Sequence, residues 1–237
     1  MTTEAKLGTN YTGAQMSPQD TQLMLEATEI FPADVPGNET ALAAARELYV
    51  PEADRIGSVP IPGSVKGMLK TGFDKMLGRT PELLVDKLGE RLAFERTGVR
   101  LYDAMIAKVN ALPDANPELL PALERIRLQE AAHMDILRDA LEQLGADPTA
   151  MTPCADVSGV LSIGVLQVLT DPRTNLAQSL EALLTAELTD NAAWEMLIEL
   201  VRREGKDDMA ASFQQALAEE EDHLRIVKTQ LNRLLLS

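Results

Sequence analysis

The chain has 237 residues and a formal charge of −15, with 45% apolar but only 3% aromatic residues. So acidic a surface disfavours nucleic acid and anionic membrane, both polyanions, as partners, and a core of Leu, Ala, Ile, Val and Met suits helices over sheets. One cysteine, Cys154, leaves no internal disulfide and no CxxC site; with no basic and apolar leader and no apolar run near the roughly 20 residues of a membrane span, a cytoplasmic protein is expected.

Residues 1–78 read as an irregular extension cut into short pieces by Pro32, Pro36, Gly37, Pro51, Gly57, Pro60, Pro62 and Gly63. Ser17-Pro18 opens a short helix through Ile30, and Thr40 to Tyr49 forms another. Between Ser64 and Leu77, an apolar face (Val65, Met68, Leu69, Phe73, Met76) flanked by Lys66, Lys70 and Lys75 predicts a basic amphipathic helix packed on its own domain.

Residues 79–237 are long and regular. Thr80-Pro81-Glu82 starts a first long helix that runs to about Leu112. A second starts at Asn116-Pro117-Glu118 and ends near Gly145. The third runs from about Thr174 to Arg203 and stops at Gly205; the fourth runs from about Asp207 to Leu236. Short connections make the first two and the last two antiparallel hairpins. The stretch 146–173 between them, with apolar residues from Val157 to Leu169, is long enough to travel the length of a bundle.

The two hairpins look like copies. Glu95 with Tyr102 aligns to Glu187 with Trp194, and Glu130 with His133 aligns to Glu220 with His223. Both histidines of the chain stand three residues after a glutamate, on one helix face, so each pair can aim a carboxylate and an imidazole at one point. Each long helix has an apolar stripe broken near its middle by an acid, at Glu95, Glu130, Glu187 and Glu220. Counted from the hairpin turns at 1.5 Å per residue, the four acids fall within about 5 Å of one level.

Four buried carboxylates need compensation, since each isolated buried ion costs several kcal/mol. No Lys or Arg is expected on the stripes at that level. Two divalent ions balance four carboxylates, with His133 and His223 as neutral ligands. Mixed oxygen and nitrogen donors suit iron or manganese, and zinc as well.

These residues resemble the ferritin-like superfamily of di-iron carboxylate proteins, which includes bacterioferritins, rubrerythrins and diiron oxygenases. The resemblance covers residues 79–237 and implies an all-α fold: a four-helix bundle with one long crossover between its second and third helices, behind a partly helical N-terminal extension. It also implies terminal ligands Glu95 and Glu187, bridging ligands Glu130 and Glu220, and capping ligands His133 and His223. Tyr102 matches a tyrosine found beside ferritin and rubrerythrin centres, with Trp194 in its place on the third helix. Asp190 stands where rubrerythrins carry an extra carboxylate, or else faces solvent, and Glu219 and Glu221 are expected to be solvated.

The expected cofactor is two metal ions, iron first, with manganese or a mixed Mn/Fe pair as alternatives. The implied chemistry is reaction with O2 or H2O2, most simply Fe(II) oxidation. An oxygenase acting on an organic substrate, a manganese catalase and a non-enzymatic metal-binding or scaffold protein are the rivals. A homodimer is expected, and the missing rubredoxin-type cysteines leave electrons to the substrate or to a separate reductase.

Overall fold

A computed structural model describes residues 8–63, 67–69, 72, 81–112 and 116–236. The described residues form helices joined by turns and irregular stretches, without strands. They form α1 (Pro18–Ile30), α2 (Glu39–Glu52), α3 (Pro81–Asn110), α4 (Leu119–Leu144), α5 (Pro153–Thr170), α6 (Leu176–Arg203) and α7 (Asp207–Leu235). Most of the basic helix expected over 64–77, and Thr80, the expected cap of α3, lie outside the described residues.

Two compact units divide the chain. One contains α1 and α2, and the other starts at Ile56 and contains α3 to α7. In the first unit both expected helices form, α2 capped by Asn38 through its bond from Ala41 N, yet neither helix buries a residue.

In the second unit α3, α4, α6 and α7 are the four long helices. α3 packs on α4, α6 on α7, and the hairpins meet along α3–α6 and α4–α7. Helix ends follow their local chemistry. α4 stops at Gly145, whose φ of 78° closes the helix in the left-handed region that favours glycine. α6 opens with a capping box in which Asn175 and Gln178 satisfy each other's backbone N–H groups.

The crossover is where sequence and structure part. An 18-residue helix, α5, fills most of it, started by Thr152 as N-cap and Pro153 in the first turn. It packs on α3 and α6, burying Ala155, Ser158, Ser162 and Leu169, while Val160, Leu161 and Ile163 stay exposed. With a mean hydropathy of 1.4, α5 has the length and composition of a membrane span, which corrects the expectation that no run comes near one; apolar helices of soluble proteins give the same signal. Lys108 ties the far end of the crossover to α3, donating to Asp171 O (3.0 Å), Thr174 O (3.2 Å) and Ser179 Oγ (2.9 Å).

The bundle core is split in two. One apolar cluster gathers Leu101, Met105, Leu123, Ile126, Leu180 and Val227; the other gathers Leu84, Leu88, Leu137, Leu197, Val201 and Phe213. Between them lies the level at which each stripe carries its acid.

Candidate metal centre

The structure brings all six predicted residues into that middle layer, and each is 2% exposed or less. α3 supplies Glu95, α4 Glu130 and His133, α6 Glu187, and α7 Glu220 and His223. Glu220 reaches both imidazoles, with Oε1 2.7 Å from His133 Nδ1 and Oε2 3.1 Å from His223 Nδ1. Around His133 Nδ1 stands Glu95 Oε2 at 3.6 Å. Around His223 Nδ1 stand Glu130 Oε1 at 3.3 Å and Glu187 Oε2 at 4.0 Å. One donor atom from each of Glu130, Glu187, Glu220 and His223 lies within 4.8 Å of the others, as does one from each of Glu95, His133 and Glu220. Two adjacent sites sharing Glu220 follow from this grouping.

Glu130 owes its position to a glycine. A Cβ on Gly98 of α3 would stand 2.0 Å from Glu130 Oε2, so only glycine leaves room for the carboxylate there.

A ring of hydrogen bonds holds the layer. Tyr102 Oη donates to Glu187 Oε1 (2.5 Å), and Trp194 Nε1 donates to Glu95 Oε1 (2.9 Å), each tying one hairpin's aromatic to the other's carboxylate. Glu219 Oε2 lies 3.1 Å from His133 Nε2, and Gln129 Oε1 lies 3.1 Å from His223 Nε2. A carboxylate only accepts, so it keeps hydrogen on Nε2 and leaves Nδ1 for the centre. Asn191 Nδ2 donates to Glu187 O (2.9 Å) and Glu220 O (3.1 Å), locking α6 to α7 at this level.

Three expectations are corrected. A cation does lie at the layer: Arg91, 3% exposed, is 2.5 Å from Asp190 Oδ1 and 3.3 Å from Glu95 Oε1. Asp190 is buried rather than solvent-facing. Glu219 is only partly exposed and bonds His133, where solvation was expected. Sequence reasoning missed Arg91, Gln129 and Gly98. The available signals were the spacing of Arg91, one turn before Glu95, and the repeat itself, which sets Gln129 opposite Glu219.

Charge inside the layer is strongly constrained. Burial, then repulsion from neighbouring carboxylates, pushes Glu130 well above the usual carboxylate range. Burial does the same for Glu187 and Asp190, despite relief from Tyr102 and Arg91 respectively. Burial acts first on Glu220 too, but the nearby imidazoles of His133 and His223 outweigh it and hold the carboxyl down to about 2. His133 is pulled down by burial and lifted further by Glu220 and Glu95, to about 11. Tyr102 is raised well above its ordinary value by burial and by the charge of Glu187.

The donor set fits two divalent ions. Glu95 Oε2, Glu130 Oε2, Glu187 Oε2, Glu220 Oε1 and His133 Nδ1 are buried without a hydrogen-bond partner, and the short approach of His133 Nδ1 to Glu220 lacks hydrogen-bonding geometry. Orphaned buried polar atoms are rare and costly unless something binds them. Arg91 offsets Asp190, so the four glutamates are left to balance two dications.

The family profile described as Ferritin, a ferritin-like domain, matches residues 85–236. No curated protein and no solved structure matches the chain.

Proposed function

The chain belongs to the ferritin-like family, and on that premise we propose that its buried layer holds two iron ions and oxidises Fe(II) with dioxygen or peroxide. The observation that carries this reading is the set of five partnerless donor atoms from four glutamates and a histidine in one layer. Paired iron ions supply the electrons that reduce the oxidant.

The protein's residues then have separable roles. Glu95 with His133 would hold one ion and Glu187 with His223 the other, with Glu220 and Glu130 available to both. Tyr102 and Trp194 fix one oxygen each of Glu187 and Glu95, leaving the second oxygen for metal. Tyr102 Oη is also the proton donor closest to Glu187, at 2.5 Å. Cys154 is free, which suits the reducing cytoplasm that this reading assigns. Metal analysis by mass spectrometry and oxygen uptake on adding Fe(II) test the proposal. Two irons per chain and Fe(II)-dependent oxygen consumption are expected; a chain that takes up neither iron nor manganese ends it.

A second reading, oxidation of a small organic molecule, draws on one observation. A half-open pocket of about 150 Å³ between α3 and α6, walled by the exposed Leu83 and Met196 with Leu197 and Leu200, includes Arg91, whose guanidinium touches Glu95 and Asp190. Its size suits a molecule of about benzene's volume. Oxygen uptake that yields an oxidised organic product in place of Fe(III) would favour this reading.

A further inference from the structure

The two halves of the layer are related by the hairpin repeat, and beyond the ligands and the Tyr102–Trp194 pair they differ at three further positions. His133 Nε2 meets the carboxylate of Glu219, whereas His223 Nε2 meets the amide oxygen of Gln129, both at 3.1 Å. Glu219 and Gln129 each stand immediately before a glutamate ligand, Glu220 and Glu130, in the matching helix of their hairpin. Asp190, one turn beyond Glu187, has Gly98 as its counterpart one turn beyond Glu95. Arg91, one turn before Glu95, has the buried Leu183 one turn before Glu187.

Building on the dimetal reading, we propose that the two metal positions are inequivalent. The one at Glu95 and His133 binds a divalent cation first and more tightly than the one at Glu187 and His223, because Glu219 offers a carboxylate where Gln129 offers an amide, and Asp190 offers an oxygen where Gly98 has no side chain. Two effects act in the same direction. A carboxylate accepting from Nε2–H makes the imidazole a stronger donor at Nδ1 than an amide oxygen does. A carboxylate oxygen of Asp190 lies within 4.8 Å of donor atoms of Glu95, Glu130 and Glu220, a further oxygen that glycine cannot offer. The salt bridge of Arg91 to Asp190 and Glu95 cancels one charge but fixes both carboxylates beside that position. What remains is the extra charge of Glu219, 30% exposed and hydrogen-bonded to a ligand.

The difference is readable without turnover. Calorimetric titration of the full-length, metal-stripped protein with Co(II), with native mass spectrometry for stoichiometry, is expected to show two ions binding in two steps at least ~10-fold apart, the scale of an outer-shell ligand partner. Glu219→Gln should weaken the first step by about 10- to 100-fold and leave the second, while Gln129→Glu should tighten the second. Thermal melts of both metal-free variants confirm folding, since both side chains are partly exposed. Two ions in one step of uniform affinity, unaltered by Glu219→Gln, overturn the inequivalence and leave the dimetal reading standing. No bound ion overturns both.

Discussion

Substituting Gly98 by Ala separates the needs of the fold from those of the centre. In the interior of α3, Ala is favoured over Gly by about 1 kcal/mol, which in a unit of this size raises the melting temperature by about 2–4 °C. The new Cβ would stand 2.0 Å from Glu130 Oε2, where ordinary contact begins at 3.4 Å, so the carboxylate must retreat by about 1.4 Å. The clashing atom is the far end of a flexible side chain, so it gives way before the helix does. Metal coordination does not, because ligand distances are held to about ±0.2 Å. Affinity should therefore fall by ~100-fold or more, the upper end of what an outer-shell loss costs. At a metal concentration 100 times the wild-type Kd, binding stabilises the native protein by ~2.7 kcal/mol but the variant by only ~0.4. Gly98→Ala should thus melt higher than wild type without metal and lower with it, as calorimetry with and without Co(II) would register. A variant that binds two ions at wild-type affinity would refute the placing of Glu130 in the centre.

Other outcomes follow from the same geometry. The metal-free protein should lose stability as pH rises from about 5 to 9. Glu130 and Glu187 hold protons that the unfolded chain releases above the ordinary carboxylate range, and the stability from His133 is present below its ordinary 6.5 and lost toward about 11. Glu220, held near 2, acts oppositely but only below its ordinary 4.5. Metal uptake should release protons and strengthen with pH, which titration in buffers of different ionisation enthalpy would reveal. Arg91→Met should destabilise the bundle by about 3–5 kcal/mol in denaturant melts by stranding Asp190, and adding Asp190→Asn should recover most of the loss. Glu130→Gln should keep or raise metal-free stability at pH 8 while abolishing tight uptake of two ions, measured by equilibrium dialysis.

The bundle and its six polar residues were legible because acids recurring at one level of four apolar stripes leave few other arrangements. Arg91 was not, since one residue per turn was assigned to the stripe and Leu92 took that place; in the structure both side chains are buried. Asp190, one turn beyond Glu187, was left between an extra carboxylate and a solvent-facing residue for the same reason. The helix in the crossover was hidden because an apolar run with Gly159 and Gly164 has no clear helical face, and its buried side is made of small residues such as Ala155, Ser158 and Ser162. Glu219 was misjudged because its partner is the outer nitrogen of a histidine on another helix.

Trp194 is the only tryptophan in the chain. It is fully buried, bonded through Nε1 to Glu95 and set edge-on to His133 with ring centroids 5.8 Å apart. Indole emission from this protein therefore originates at a single point, in direct contact with the layer. The molecule carries an intrinsic optical gauge of its own centre, sensitive to whatever occupies or displaces Glu95.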